Sequence, residues 1–440
     1  MLSRLKPLLN QERILGGALV VAVTQMLGSI VGLIRDNLLN RTFPGLGVID
    51  VYYAAFRPSD LLFQIFIMAG FSVALVPLLA KYHVDKDRTQ MSQLMNGAVT
   101  VAALVFGSIA LVLGIAFRPL APLLTEFTGP RLDLYISFGR IALLTNFLFV
   151  FGNAYGQYLN TIQRFWVYGL TPVLYTIGTI LGTLFLTPYI GPHGPIVGTF
   201  VGAVLFVLWR LVSVIHHGYR PKIHWWHPEL KSLGILMIPR MIALGMIQLE
   251  LLLFDRIASG LPAGSISINA FARNFQSVIM GITGTALALS LFSPLSQAAA
   301  KQDWPRFWGY LRKGMLFMLA FTIPGSIGLV ITVPIAAWLI HLEPMFVPLF
   351  FICIVLYAFS VLFEGMNNLF TRAFFASRNT TVPAIFTVIN GAVAIAISWL
   401  LAPKYGVASI ALGYTIGHVV EMMGLILYLP KEGRGVKAEF

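Results

Sequence analysis

A chain of 440 residues has the length of two or three soluble domains, yet 58% of its residues are hydrophobic, 11% are charged and the mean hydropathy is +0.82. Soluble domains carry about 25% charged residues, so there is too little polar surface here to coat a water-facing globule. The single cysteine, Cys353, excludes a disulfide framework and a thiolate metal site, and the net charge of +13 has to be explained by where the lysines and arginines fall.

Apolar runs of the length a helix needs to cross hydrocarbon, about 20 residues, recur from end to end. Arg4, Lys6 and Arg13 precede the first, which is too long for a signal-peptide core and lacks a small-residue cleavage site, so the sequence predicts a retained helix over 14–40. Five more are predicted over 50–80, 92–117, 133–160, 166–189 and 195–216. The second half repeats the count, over 229–259, 266–297, 306–340, 344–376, 381–402 and 405–429. The expected fold is all-α: a polytopic membrane protein with about twelve transmembrane helices in two six-helix lobes. The lobes are 1–217 and 231–440, joined by a cytoplasmic linker over 218–230. In that linker Arg220 and Lys222 beside Trp225 and Trp226 suit the headgroup layer, and lipid contact is preferred over a regulatory role. Forty glycines and 24 prolines fit helices that pack closely and bend in the membrane.

With the N-terminus inside, 19 lysines and arginines fall on the cytoplasmic side and four, Arg41, Arg118, Arg131 and Lys404, on the other. This asymmetry predicts cytoplasmic termini and accounts for most of the net charge, and there is no basic folded domain for nucleic acid. The halves also echo one another. Phe63 to Met68 resembles Phe275 to Met280, with Pro77 and Pro294 after them, and Asn160 to Arg164 before Pro172 resembles Ser377 to Thr381 before Pro383. The same orientation in both halves predicts parallel repeats, an arrangement in which transporters bind substrate between the halves.

Neither a phosphate-binding loop, a zinc-protease His-Glu-x-x-His pair nor a nucleophile elbow occurs, so an ATP-driven pump is excluded and an enzyme is not expected. The informative residues are charges at membrane depth, which are costly and face wet cavities or one another. They are Arg35, Arg57, Arg140, Arg210, Arg240, Arg256 and Arg273, with Asp36, Asp50, Asp60, Glu250, Asp255, Glu364 and Glu421. Arg210 and Arg57 are expected to snorkel to opposite faces. Asp255 and Arg256, being adjacent, need separate partners. For any one charge a structural pairing competes with substrate contact. As a set, arginines from both halves predict a cavity for an anion, because the guanidinium fork matches phosphate.

Gly28 to Asp36, reading GSIVGLIRD, is similar to the first-helix signature of the bacterial lipid II flippase family, and Asp50, Ala54, Phe56, Leu61-Leu62, Phe66, Phe71-Ser72 and Val76-Pro77 continue the likeness. Asp255 to Leu261 with Gly264 to Ser267, and Arg372 to Phe374 through Thr381 to Pro383, resemble the family's later signatures, so the resemblance runs in order along nearly the whole chain. Ser29 and Phe63 stand where the family places further arginines, Asn274 takes the eighth-helix arginine position with Arg273 one place early, and Ser277 and Ala394 replace two acids.

The resemblance implies a two-lobed transporter of the multidrug and oligosaccharidyl-lipid exporter superfamily in the bacterial plasma membrane. It would carry lipid II, or a similar polyprenyl-pyrophosphate-linked glycan, to the outer leaflet by alternating access, in contact with membrane lipids and alongside the cell-wall synthesis machinery. It also implies substrate binding by Arg35, Asp36, Arg57, Arg273 and Asn274, with Arg35 and Arg273 on the pyrophosphate and Asp36 orienting Arg35. Asp255 and Asn390 are the implied ion-coupling candidates. No cofactor or metal is expected beyond a coupling sodium ion or proton, or the membrane potential. A flippase for another glycan, an ion-coupled multidrug antiporter and a non-transporting cell-wall scaffold remain the rival readings.

Overall fold

A computed structural model describes residues 14–68 and 75–429, and at 14–19, 21, 22, 236, 239, 240 and 243 the backbone alone. The terminal basic residues Arg4, Lys6, Arg13, Lys431, Arg434 and Lys437, the pair Phe71-Ser72 and the Arg240 side chain lie outside the described residues.

Among these residues there is no strand, and the helices form twelve passes. The first six are α1 (Ile14–Thr42), α2 (Gly47–Phe63, extended by a π turn at Gln64–Met68 and by Val76–Val84), α3 (Arg88–Leu124), α4 (Pro130–Thr161), α5 (Phe165–Leu181, running through a π turn to Ile190) and α6 (Gly194–His216). The second six are α7 (Glu229–Ser259), α8 (Ser265–Met280, extended by a π turn at Gly281–Thr285 and by Ala286–Ala300), α9 (Trp304–Ile331, followed by Val333–Leu339), α10 (Val347–Ala376), α11 (Thr381–Tyr405) and α12 (Ala408–Tyr428). Eight helical segments are long and apolar enough to cross a membrane, one of them, Phe165–His216, holding two passes. Leu111, Ile115, Phe317, Ile331 and Trp338 stand exposed on their helices, a surface suited to lipid rather than water.

The repeat is written in the turns. Left-handed residues occur at Leu46, Lys86, Gly129, Gln163 and Gly191 in the first half and at Gly264, Gln302, His341, Arg378 and Gly406 in the second. Each pair is separated by between 212 (Gly129 to His341) and 218 (Leu46 to Gly264) residues. The π turns at Gln64–Met68 and Gly281–Thr285 fall in step with them. So do the aspartates that cap α3 and α9: Asp87 accepts from the Thr89 and Gln90 amides, and Asp303 from the Arg306 amide. The sequence echo between Phe63 and Phe275 spans 212 residues and lies out of step with the π turns, 217 apart, by more than a helical turn. Short apolar strings recur in any membrane chain, whereas a reversal of chain direction needs one particular backbone turn.

Two compact units result, one ending at Gln248 and one beginning at Leu249, so that α7 contributes to both. In the first, Phe63, Leu94, Met95, Phe106 and Val150 pack together, and in the second Phe307, Leu311, Met318, Phe370 and Phe374. In the first unit α5 and α6 touch backbone to backbone: a Cβ on Gly178 would stand 2.4 Å from the Gly198 carbonyl oxygen.

Arg210 does not snorkel. It is 2% exposed and donates from Nε to the Thr171 hydroxyl (2.7 Å), from Nη1 to the Gly152 carbonyl (2.8 Å) and from Nη2 to the Tyr168 carbonyl (2.7 Å). Pro172, inside α5, has no amide hydrogen for the Tyr168 carbonyl four residues back, and Arg210 supplies the missing donor. The guanidinium also lies over the Phe206 ring at 4.3 Å.

Candidate functional site

In the N-terminal unit the charged centre is built where α1 meets α2. Arg35 donates from Nε (2.9 Å) and Nη2 (2.7 Å) to one oxygen, Oδ1 of Asp36, which also accepts from the Tyr53 hydroxyl at 3.0 Å. Adjacent helical residues do not face each other, but the arginine side chain is long enough to fold back onto its neighbour. The Asp36 side chain is 6% exposed and that of Arg35 19%, so the acid is buried while the guanidinium keeps an open edge. A fixed cation oriented by a buried acid is a device for holding an anion. On α2, Arg57 is half-buried, and Asp60 accepts from Nδ2 of Asn146 at 2.9 Å, which also donates to the Ser59 hydroxyl at 2.7 Å. Gly28 and Gly32 lie within α1, which runs from Ile14 to Thr42 as one helix.

The lost arginine positions are filled in two ways. Ser29 is exposed and its hydroxyl donates to the Gln25 carbonyl, whereas Phe63 is a core residue in edge contact with Phe106 and Phe149, each at 6.3 Å.

In the C-terminal unit a polar interior runs through α7, α8, α10, α11 and α12. Arg273 lies over the Tyr414 ring at 4.9 Å, and its Nη1 is buried without a hydrogen-bond partner, as is Oε1 of Glu250. Glu364 accepts from Nε2 of Gln276 (2.7 Å) and from the Tyr414 hydroxyl (3.0 Å). Asn274 is exposed, and its carbonyl accepts from the Ser277 hydroxyl. Asp255 is buried and Ala394 fully so. Asn390 donates to Oε2 of Glu421 at 2.7 Å, beside Asn367 and His418. Among the sequence candidates, Arg35 and Asp36 are thus in direct contact, and Arg57 lies on the adjoining helix. Asn390 belongs to a buried network that was only partly foreseen. Glu364 and Glu421 were flagged as charges at depth; Asn367 and His418 were not. The available signal was the His418-x-x-Glu421 spacing, which puts both side chains on one face of α12.

The linker between α6 and α7 lies along α3. The Tyr219 hydroxyl donates to Oδ1 of Asn96 at 2.5 Å, Nδ2 of Asn96 donates to the Arg220 carbonyl at 2.9 Å, and the Lys222 amide donates back to Oδ1 at 3.1 Å. Ile223, Trp225 and Trp226 are left exposed. Burial of the Tyr219 hydroxyl pushes its ionisation above the ordinary tyrosine range.

Residues 41–439 match the family model described as lipid II flippase MurJ. The chain is 23% identical to a probable lipid II flippase MurJ of Bdellovibrio bacteriovorus, over 97% of this chain and 84% of that protein. It is 24% identical to one of Vibrio cholerae, over 96% and 84%. Among solved structures it resembles a lipid II flippase MurJ in an inward closed conformation, with a TM-score of 0.77 at 22% identity over 93% of this chain and 87% of that one. It also resembles an inward-facing multidrug resistance transporter of the MATE family, with a TM-score of 0.73 at 13% identity over 93% and 97%. These likenesses agree with a twelve-pass helical fold built as a repeat, and with a match that runs through α2 to α12 this multi-pass membrane protein belongs to the lipid II flippase family.

Proposed function

We propose that this protein carries lipid II from the cytoplasmic to the outer leaflet of the bacterial plasma membrane by alternating access. The observation that carries the reading is the family match across residues 41–439. The physical problem agrees with it: a pyrophosphate and its sugar-peptide head cannot enter hydrocarbon, while a polyprenyl tail remains in it. Arg35, oriented by Asp36 and Tyr53 with one edge open, is the proposed pyrophosphate ligand, and Arg273 supplies a second fixed charge in the C-terminal unit. Arg57 and Asn274 are proposed to contact the headgroup. A cation gradient or the membrane potential resets the transporter, with Asp255 and Asn390 as candidate ion ligands.

The test is transport by purified protein in liposomes loaded with labelled lipid II, read as the fraction that becomes accessible on the opposite leaflet. Protein-dependent movement is expected; movement equal to that of empty liposomes overturns the reading. The antiporter reading has in its favour the fold shared with the multidrug transporter. Tight binding of cationic dyes that salt does not weaken, together with no affinity for lipid II, would select it. The proposed orientation places both termini and the linker in the cytoplasm. Tyr219 is too buried to probe, so a cysteine at the exposed Trp226 should resist impermeant thiol reagents in intact cells, and one at Tyr189 should label. The reverse pattern refutes the orientation.

A further inference from the structure

We infer that His418 and Glu421, with Asn367 and Asn390, form a proton-binding site inside the C-terminal unit, and that its occupancy sets the transport rate. The coupling half of this inference rests on the transport reading above; the proton site itself does not.

Glu421 is surrounded by donors. Oε2 accepts from Nδ2 of Asn390 (2.7 Å) and of Asn367 (3.1 Å), and Oε1 accepts from the Thr387 hydroxyl (3.0 Å). Three donors from two neighbouring helices favour the ionised carboxylate. One turn earlier on α12, Nδ1 of His418 lies 3.4 Å from the same Oε2 and within 3.2 and 3.3 Å of the two amide nitrogens. With the imidazole neutral and its hydrogen on Nε2, Nδ1 is a lone pair that accepts from the amides. A proton arriving from water forms an N–H bond on that lone pair and breaks no other bond. Nδ1 then donates to Oε2, and the lone pair facing a carboxylate becomes an ion pair. Loss of the proton to water reverses the step.

The surroundings select a cation of this kind. Glu364 and Tyr357 face the site from α10, Glu250 from α7, Arg273 from α8 and Tyr414 from α12, while α11 contributes Thr387 and Asn390. Three carboxylates therefore stand against one fixed guanidinium, and the Tyr414 ring packs on the imidazole at 4.5 Å. Both amides turn nitrogen, not oxygen, toward the carboxylate, so a proton finds an acceptor there and a metal ion meets N–H groups. Oδ1 of Asn367 and of Asn390 are buried and accept no hydrogen bond, although each residue is at most 5% exposed. Such residues are expensive to bury, and the network is held together by the carboxylate that the imidazole faces.

The experiment uses the full chain with ring-labelled histidines, followed by nuclear magnetic resonance from pH 5 to 9 without lipid II. One imidazole is expected to titrate and to vanish from the spectra in His418→Gln. In Thr387→Val the carboxylate has lost a donor and depends more on the imidazolium, so the midpoint should move to higher pH; a purely packing role would leave it unmoved. Failure of the His418 signal to change across that range overturns the site, as does a sodium-induced shift in it that is the same at every pH. In lipid II liposomes an imposed pH gradient should change the wild-type rate several-fold and leave that of His418→Gln unchanged. An unresponsive wild type that still flips overturns the coupling. A wild type that does not flip at all overturns the transport reading, and the titration still decides the proton site.

Discussion

The last three helices of each half are one structure built twice, with opposite interiors. Gln163 and Arg378 lie 215 residues apart, as do Gly191 and Gly406, and at the same spacing Gly198 and Gly202 fall on Gly413 and Gly417. In that register Phe149, Tyr175 and Phe206 correspond to Glu364, Asn390 and Glu421. The first set is an aromatic knot, with Phe149 at 5.3 Å from Tyr175 and 5.4 Å from Phe206. The second is a hydrogen-bonded polar network. Pro172 corresponds to Thr387, and Arg210 to the fully buried Leu425. Where proline removes a backbone donor an arginine replaces it; where threonine keeps the amide, a leucine suffices and the threonine hydroxyl turns to Glu421. The scaffold needs only filled space at these positions, so the acids, amides and imidazole of the second half are not a requirement of packing.

The harshest way to break this comparison is to make Arg210 resemble its counterpart. Arg210→Met strands the Tyr168 carbonyl, which Pro172 has already deprived of its helical partner, and removes the guanidinium's bonds to the Gly152 carbonyl and the Thr171 hydroxyl. Each stranded acceptor costs about 1–3 kcal/mol. The variant should fail to accumulate as a monodisperse species in detergent size-exclusion, and Pro172→Thr should partly restore it. Normal yield of Arg210→Met alone would remove the proline argument.

A second variant transplants one acid without its donors. Phe149→Glu puts a carboxylate against Phe63, Tyr175 and Phe206, where no amides wait for it. A charge at this depth costs about 2.5–3.5 kcal/mol on insertion scales. Thermal unfolding in detergent should fall accordingly, whereas Phe149→Leu should lose far less. Equal losses in the two variants would mean that ring volume, not polarity, separates the repeats.

Much of the architecture was legible in sequence because hydrocarbon imposes a length and a composition on every pass. The twelve spans, the parallel repeat and the family signature Arg35-Asp36 all follow from local strings. The register of the repeat was not legible: Pro172 was set against Pro383, whereas the turns set it against Thr387. Nor was Arg210's partner, because a donor's target is fixed by which helices meet and not by sequence spacing. The polar network escaped for the same reason. Asn367, Asn390 and His418 come from three helices, and only His418 and Glu421 share a turn.

The units also differ in how they carry their first charges, Arg35-Asp36 on α1 and Asp255-Arg256 on α7, in reversed order. Arg35 reaches Asp36 through both Nε and Nη2, a geometry that lysine cannot copy. Arg35→Lys should insert at wild-type levels. Losing one charge-assisted hydrogen bond of about 1.5–3 kcal/mol should slow lipid II flipping in liposomes roughly tenfold or more. Full activity would reduce Arg35 to a structural charge and erase this distinction between the units.

The smallest effect belongs to the one segment that the repeat does not duplicate, the linker that begins at the unmatched left-handed Gly218. His227 anchors its far end. Nδ1 accepts from the Glu229 amide at 3.2 Å and Nε2 faces Oε1 of Gln90 at 3.2 Å, an arrangement that requires a neutral ring carrying its hydrogen on Nε2. Burial holds its pKa below the ordinary histidine value, with the nearby Glu229 partly opposing the shift. The released linker therefore binds a proton more readily than the docked one. Docking is at full strength above the free-histidine range, near pH 6.5, and weakens as pH falls from there through the lower docked value. A second proton on the ring also removes the acceptor that caps α7. Amide exchange over Lys222–Glu229, corrected for intrinsic rate, should rise a few-fold between pH 7.5 and 5.5 in the wild type. His227→Asn keeps an acceptor and cannot titrate, so its corrected exchange should stay flat. Parallel curves for the two proteins would leave the linker's attachment to Asn96 alone and detach His227 from it.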